Sequence, residues 1–198
     1  HVLYLRSFGA DDDGSDVIGT TTEEEHLALV FGQIGPFITV GRPGEKLPLL
    51  GAHRFYVNDD DWKQIVSDLI DRAKFILIRI GDSPGFWWEF ERTMKTVQPE
   101  RIILLVPDDS ALYAAFCEKA SGVVSVSFPK LFKPQKTGLL RAVFRKLHWF
   151  IRFLYLPFFT GYSVAPAFFR SLKGAIFFEK NFTPHKAEFG YNWIRGDY

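Results

Sequence analysis

The chain has 198 residues, of which 47% are hydrophobic and 24% are charged, a composition that excludes wholesale disorder and is typical of an ordered globular protein. The net charge of +1 gives no overall field for attracting nucleic acid, and we expect no nucleic-acid partner. Cys117 is the only cysteine, which excludes an internal disulfide and favours a reducing, cytoplasmic compartment.

Several familiar signatures of catalytic and binding sites are missing from the sequence. It contains no G-x-x-x-x-G-K-[ST], G-x-G-x-x-G or H-E-x-x-H motif. Its five histidines lie far apart without ligand spacing, so we expect no metal site. The chain opens on His1 and its one methionine is Met94, so we expect further residues upstream, and any signal or membrane anchor would lie among them.

The amino-terminal elements alternate between strand and helix. Residues 2–5 form a short apolar run that predicts a buried strand, followed by an acidic, turn-rich loop. Thr22 and Glu25 have capping-box spacing, and apolar residues then recur at helical intervals up to residue 34. Residues 37–40 predict a second strand, which leads directly into a glycine-rich loop at residues 41–45.

The same alternation continues through the middle of the chain. Residues 53–57 predict a short additional strand, and Asn58 with the acidic residues 59–61 starts a helix with one clean apolar stripe. Strands are predicted at residues 75–80, 101–106 and 123–128. Helices are predicted between them, from Ser83 onwards and over residues 111–120.

This order predicts a three-layer α/β domain over residues 1–129, built on a parallel sheet with right-handed crossovers. The loops after the strands then gather at one edge of the sheet, where ligands bind by default. Those loops begin at Arg6, Gly41 and Gly81. We therefore expect the functional surface at the carboxyl ends of the strands.

Residues 81–85 formally match the nucleophile-elbow motif G-x-S-x-G, with Ser83 at its centre. The oxyanion hole of that motif needs the backbone N–H of the residue after the serine, and Pro84 has none. Ser83 is therefore predicted to be a helix N-cap rather than a nucleophile.

Three sequence features resemble Toll/interleukin-1 receptor (TIR) domains. Residues 3–8, with the acidic run at 11–13, are similar to the opening strand and loop of that family, and residues 41–44 are similar to the loop after its second strand. Trp87 followed by Glu91 resembles its tryptophan-to-glutamate signature. The resemblance implies a flavodoxin-like or TIR-like architecture.

The resemblance also implies a site. In TIR domains that cleave NAD a glutamate acts on the nicotinamide ribose, which makes Glu91 the catalytic candidate and Glu89 the alternative; both are also placed to stabilise a helix amino terminus. A carboxylate suits this chemistry because glycosidic cleavage develops oxocarbenium character. NAD is then the substrate, and no bound cofactor is implied. The implied substrate-binding residues are Arg6, Ser7, Phe8, Arg42, Trp87 and Ser83.

The last third, residues 130–198, reads as a basic linker, an amphipathic helix and an irregular, aromatic-rich extension. On the helix predicted at 139–156, Arg141, Arg145 and Arg152 fall in one stripe, and nearly everything else is apolar. This pattern predicts contact with an anionic membrane surface, at its inner face, or with a subunit of a homo-oligomer. A non-enzymatic scaffold tethered through this helix is the alternative function.

Overall fold

The structure is a computed structural model, which describes residues 1–6, 23–41, 53–56, 61–132 and 171–189. These residues contain seven strands and four α-helices. The strands are β1 (Val2–Leu5), β2 (Phe37–Gly41), β3 (His53–Tyr56), β4 (Phe75–Arg79), β5 (Ile102–Pro107), β6 (Leu172–Phe178) and β7 (Pro184–Glu188). The helices are α1 (Glu23–Phe31), α2 (Trp62–Arg72), α3 (Pro84–Thr96) and α4 (Ser110–Ala120). The predicted α/β class is confirmed.

All seven strands belong to one sheet, in the order β3-β2-β1-β4-β5-β6-β7. The first five are parallel to their neighbours, whereas β6 is antiparallel to β5 and β7 is antiparallel to β6. The prediction of a purely parallel sheet is therefore wrong, and the sheet is mixed. The short additional strand predicted at residues 53–57 is present as the edge strand β3.

The sheet continues past the boundary predicted near Pro129. Residues 123–128, predicted as the last strand, form no strand, although several of their apolar side chains pack against the core. The far side of β5 pairs instead with β6, whose sequence LKGAIFF supplies a longer apolar run. The expectation of an irregular extension is thus wrong for β6 and β7.

Gly174 permits the close pairing of these last two strands. A Cβ atom built at this position would lie 2.3 Å from the carbonyl oxygen of Ala187 on β7, far inside van der Waals contact. No side chain can therefore be accommodated at this position without moving the backbone of β7.

Helices pack on both faces of the sheet. Helices α2, α3 and α4 share one core with the strand residues that point to their side, among them Leu5, Ile78 and Leu104. Helix α1 covers the opposite face, where it packs on residues such as Tyr4 and Leu77. None of the four described helices combines the length and the apolar character needed to cross a bilayer, and the helix predicted at 139–156 lies outside the described residues.

The strand order creates a topological switch point between β1 and β4. The chain leaves β1 through α1 towards β2 on one side, and it leaves β4 through α3 towards β5 on the other side. Because α1 and α3 lie on opposite faces, the carboxyl ends of β1 and β4 are the position at which sheets of this topology commonly form a ligand-binding crevice. Arg6 and the start of α3 both lie at this edge of the sheet.

Candidate functional site

Helix α3 begins beside the switch point and has a well-defined start. The Ser83 side chain accepts a hydrogen bond from the backbone N–H of Phe86 at 3.1 Å, and Pro84 occupies the first turn. The predicted N-cap is thereby confirmed. The capped helix fixes the direction of every side chain on its first two turns.

The structure separates the two candidate glutamates on this helix. Glu91 is on the surface, with its side chain 49% exposed and paired with Lys95 one turn further on. Glu89 is only 3% exposed, and this burial raises the pKa of its carboxyl to about 8. Glu89, the alternative in the sequence prediction, is therefore the buried acid of α3 and is mostly protonated at neutral pH.

Helix geometry places Glu89 on the side of α3 that turns towards α2 and the sheet. Gly85, four residues earlier on the same face, lies under the ring of Trp62 from α2, since a Cβ atom there would be 3.7 Å from two ring carbons. Trp62 also packs on Trp88, with 4.8 Å between ring centroids. Thr93, one turn after Glu89, is fully buried. We call the residues Trp62, Glu89, Arg92 and Thr93 the α2–α3 seam.

The α2–α3 seam contains several buried polar atoms that find no hydrogen-bond partner in the described structure. These atoms are Nε1 of Trp62, Nη1 of Arg92 and Oγ1 of Thr93. Arg92 joins the two helices through its other nitrogens: Nη2 donates to both carboxylate oxygens of Asp71, at 2.9 and 3.0 Å. Buried polar groups normally have partners, so these atoms are placed to bond with an ordered water or with a ligand.

Trp87, predicted to contact substrate, lies on the other side of α3. It is two residues from Glu89 and so points about 200° away around the helix axis. Its ring stacks on Phe116 of α4 with a centroid distance of 5.8 Å, and Lys119 Nζ lies 4.3 Å from its centroid. The helix therefore does not bring Trp87 and Glu89 to one site.

A second polar group lies on the α1 face of the same sheet edge. Arg6, which directly follows β1, forms an ion pair with Glu24 of α1 at 3.4 Å, and the two side chains are only 12% and 5% exposed. Arg79 ends the neighbouring strand β4 and is half-buried. Arg6 is thus placed at the switch point, as predicted, but on the face opposite Glu89.

Three predicted substrate-binding residues, Ser7, Phe8 and Arg42, lie outside the described residues. Sequence reasoning missed Arg79, whose signal is an arginine at the end of an otherwise apolar strand. It also missed Trp62 and Thr93, which sit at regular apolar positions of their helices and carry no distinguishing pattern. In the described part of the chain, no group of histidine, cysteine and acidic side chains is arranged to hold a metal ion.

The chemistry available on the α2–α3 seam is that of a protonated buried carboxyl. Such a group donates a hydrogen bond at neutral pH, and it ionises when a positive charge is brought close to it.

We compared the chain with family models, with curated proteins and with solved structures. None of the three comparisons found a match.

Proposed function

We propose that this protein binds a nicotinamide or adenine nucleotide at the carboxyl edge of its sheet and hydrolyses the N-glycosidic bond of NAD, as a flavodoxin-like, TIR-like domain. The observation that carries this proposal is Glu89, a buried carboxyl on the helix that borders the switch point. The resemblance of the sequence to TIR domains supports it, with Glu89 in place of Glu91.

The chemistry requires a carboxylate rather than a carboxylic acid. When the bond between nicotinamide and ribose breaks, its electron pair leaves with the nicotinamide ring, and the ribose carbon becomes an oxocarbenium ion that water then attacks. A carboxylate beside that carbon stabilises the transition state. The positive charge of the bound nicotinamide ring favours ionisation of Glu89, so substrate binding lowers the pKa of this carboxyl and releases its proton.

The test is consumption of NAD by the full chain and by two matched variants, Glu89→Gln and Glu91→Gln. We expect Glu89→Gln to lower kcat by about 100-fold or more, the usual effect of removing one stabiliser of transition-state charge. We expect Glu91→Gln to stay within about twofold of the unchanged protein because its partner is a surface lysine. Equal rates for both variants would refute the role of Glu89.

The pH dependence of the same reaction adds a second readout. Because free Glu89 has a pKa of about 8, kcat/KM should rise with pH up to about that value and then level off. Loss of this rise in residual Glu89→Gln activity would assign it to Glu89.

A second candidate function is a non-enzymatic interaction module. It is favoured by α1, on which Leu29 and Val30 are 67% and 45% exposed. Native mass measurement of the full chain and of Leu29→Glu would test self-assembly through α1. Liposome flotation with charge-reversed Arg141, Arg145 and Arg152 would test membrane tethering, and a monomer that ignores lipid would exclude this function.

A further inference from the structure

Two arginines stand side by side at the switch point. β1 and β4 are parallel with Leu5 opposite Ile78, so the next residues along, Arg6 and Arg79, occupy adjacent positions about 4.8 Å apart. Both point to the α1 face: Arg6 pairs with Glu24 of α1, and Arg79 alternates with Leu77, whose side chain packs in the α1-side core. The fold thus brings two arginines to adjacent strand positions, at the edge of the sheet where such folds commonly bind ligands.

The strand on the other side of β1 presents no side chain next to Arg6. Tyr4 pairs with Thr39 of β2, so the position level with Arg6 is Gly41, which has no side chain. Thr39 is fully buried, points to the same face, and its Oγ1 finds no hydrogen-bond partner within the described residues. Thr39, Arg6 and Arg79 therefore lie on one face of the sheet, next to a strand position that carries no side chain.

The chemistry of this group matches a phosphate. Arginine presents a planar fork of donors that suits the oxygens of a phosphate, and a hydroxyl adds a further donor. Two positive charges on adjacent strands repel each other, and an anion bound by both offsets that repulsion. Glu24 supplies one carboxylate to Arg6, and a diphosphate would supply several oxygens to both arginines.

We infer that Arg6, Arg79 and Thr39 form a phosphate subsite on the α1 face of the switch point, which takes the diphosphate of a nucleotide. The inference rests on the proposed function in taking the ligand to be a nucleotide. It adds a site on the opposite side of the sheet edge from Glu89, so a dinucleotide lies across the crevice. Arg79 is the new residue in this assignment.

Isothermal titration of the full chain tests this subsite with three probes: ADP-ribose, inorganic pyrophosphate and nicotinamide riboside, which lacks phosphate. We expect Arg79→Gln to weaken ADP-ribose binding by about 10- to 100-fold, the effect of losing charged hydrogen bonds. Binding of nicotinamide riboside should not change. The matched control is Arg72→Gln, which removes a surface arginine at the end of α2 and should leave all three affinities unchanged.

Several outcomes would overturn the inference: equal effects of Arg79→Gln and Arg72→Gln, no ADP-ribose binding by the unchanged protein, or equal affinity for ADP-ribose and nicotinamide riboside. Pyrophosphate binding that Arg79→Gln abolishes while ADP-ribose binding persists would refute a nucleotide as the ligand. If Arg79→Gln does not fold, the unchanged protein still decides, because it should bind pyrophosphate and ADP-ribose with affinities that weaken as salt is added. Affinities for these two probes that do not respond to salt would overturn the inference.

The two proposals fail separately. Binding of ADP-ribose that depends on Arg79, without any consumption of NAD, would refute hydrolysis and leave the phosphate subsite standing. Consumption of NAD that depends on Glu89 but is indifferent to Arg79→Gln in both KM and ADP-ribose affinity would refute the subsite and leave hydrolysis standing.

Discussion

The side of α3 that faces α4 and the side that faces α2 differ in whether their buried groups have partners in the rest of the protein. On the side of α4, the rings of Phe86, Trp87 and Phe90 meet Phe116 at centroid distances of 5.3 to 6.1 Å. On the side of α2, Glu89 is buried and its neighbours retain polar atoms without partners. The first side has the organisation of a packing core, whereas the second keeps buried polar groups that packing does not need, and the proposed site rests on this difference.

Truncation on the α4 side should have the largest effect on stability. Phe116→Ala removes a ring that is 1% exposed and packs against α3, so it should lower the free energy of unfolding by about 3 to 5 kcal/mol. Denaturant unfolding followed by circular dichroism measures this loss. A loss below about 1 kcal/mol would show that this side is loosely packed and would weaken the comparison.

Replacing Glu89, on the side of α2, by glutamine should instead increase the stability of the protein, by an amount that depends on pH. Between pH 4.5 and about 8 the folded protein keeps the Glu89 proton while the unfolded chain loses it, so the stability of the protein falls as pH rises through this window. Glu89→Gln abolishes that fall. The variant should match the unchanged protein near pH 4 and exceed it by about 3 kcal/mol at pH 7.

Unfolding curves measured from pH 4 to 8 check this prediction, with Glu91→Gln as the control because Glu91 is half-exposed and paired with Lys95. The control should follow the unchanged protein within about 0.5 kcal/mol. Identical pH slopes for Glu89→Gln and the unchanged protein would mean that Glu89 is ionised in the folded state. A stabilised variant that has also lost NAD hydrolysis would show that the buried acid is kept for function at a cost in stability.

The smallest expected effect lies at the start of α3, where the two sides meet. Ser83→Ala removes the oxygen that accepts the Phe86 N–H and should cost about 1 kcal/mol. Ser83→Asp, which retains an acceptor at the cap, should recover most of this stability in thermal unfolding. A loss of several kcal/mol would indicate that Ser83 does more than cap the helix.

Much of the parallel half of the sheet was predictable because its strands are short apolar runs separated by helices with local start and stop signals. Ser83 with Pro84 is such a signal, and α3 begins there. The antiparallel half was not predictable in the same way. β6 pairs with β5 across more than 60 residues of sequence, and no local pattern encodes a pairing partner at that distance. Residues 123–128 alternate like a strand, yet their apolar side chains pack against the core without entering the sheet.

The choice between the two glutamates shows the same limit for the candidate site. Glu89 and Glu91 flank the apolar stripe of one helix, so helical periodicity does not distinguish between them as the catalytic candidate. The position of α2 separates them, since Trp62 and Arg92 close the side on which Glu89 lies and leave Glu91 in solvent. Arg79 likewise became a candidate residue only through the strand order, which places it beside Arg6.

The sequence by itself determined the α/β class, the positions of the four described helices and of the parallel strands, and the edge of the sheet at which those strands end, because these features follow from local periodicity and capping. Only the tertiary structure decided which strand completes the sheet, which glutamate is buried and which two arginines are adjacent. Those features depend on contacts between segments distant in sequence, and burial and charge proximity are properties of the packed molecule.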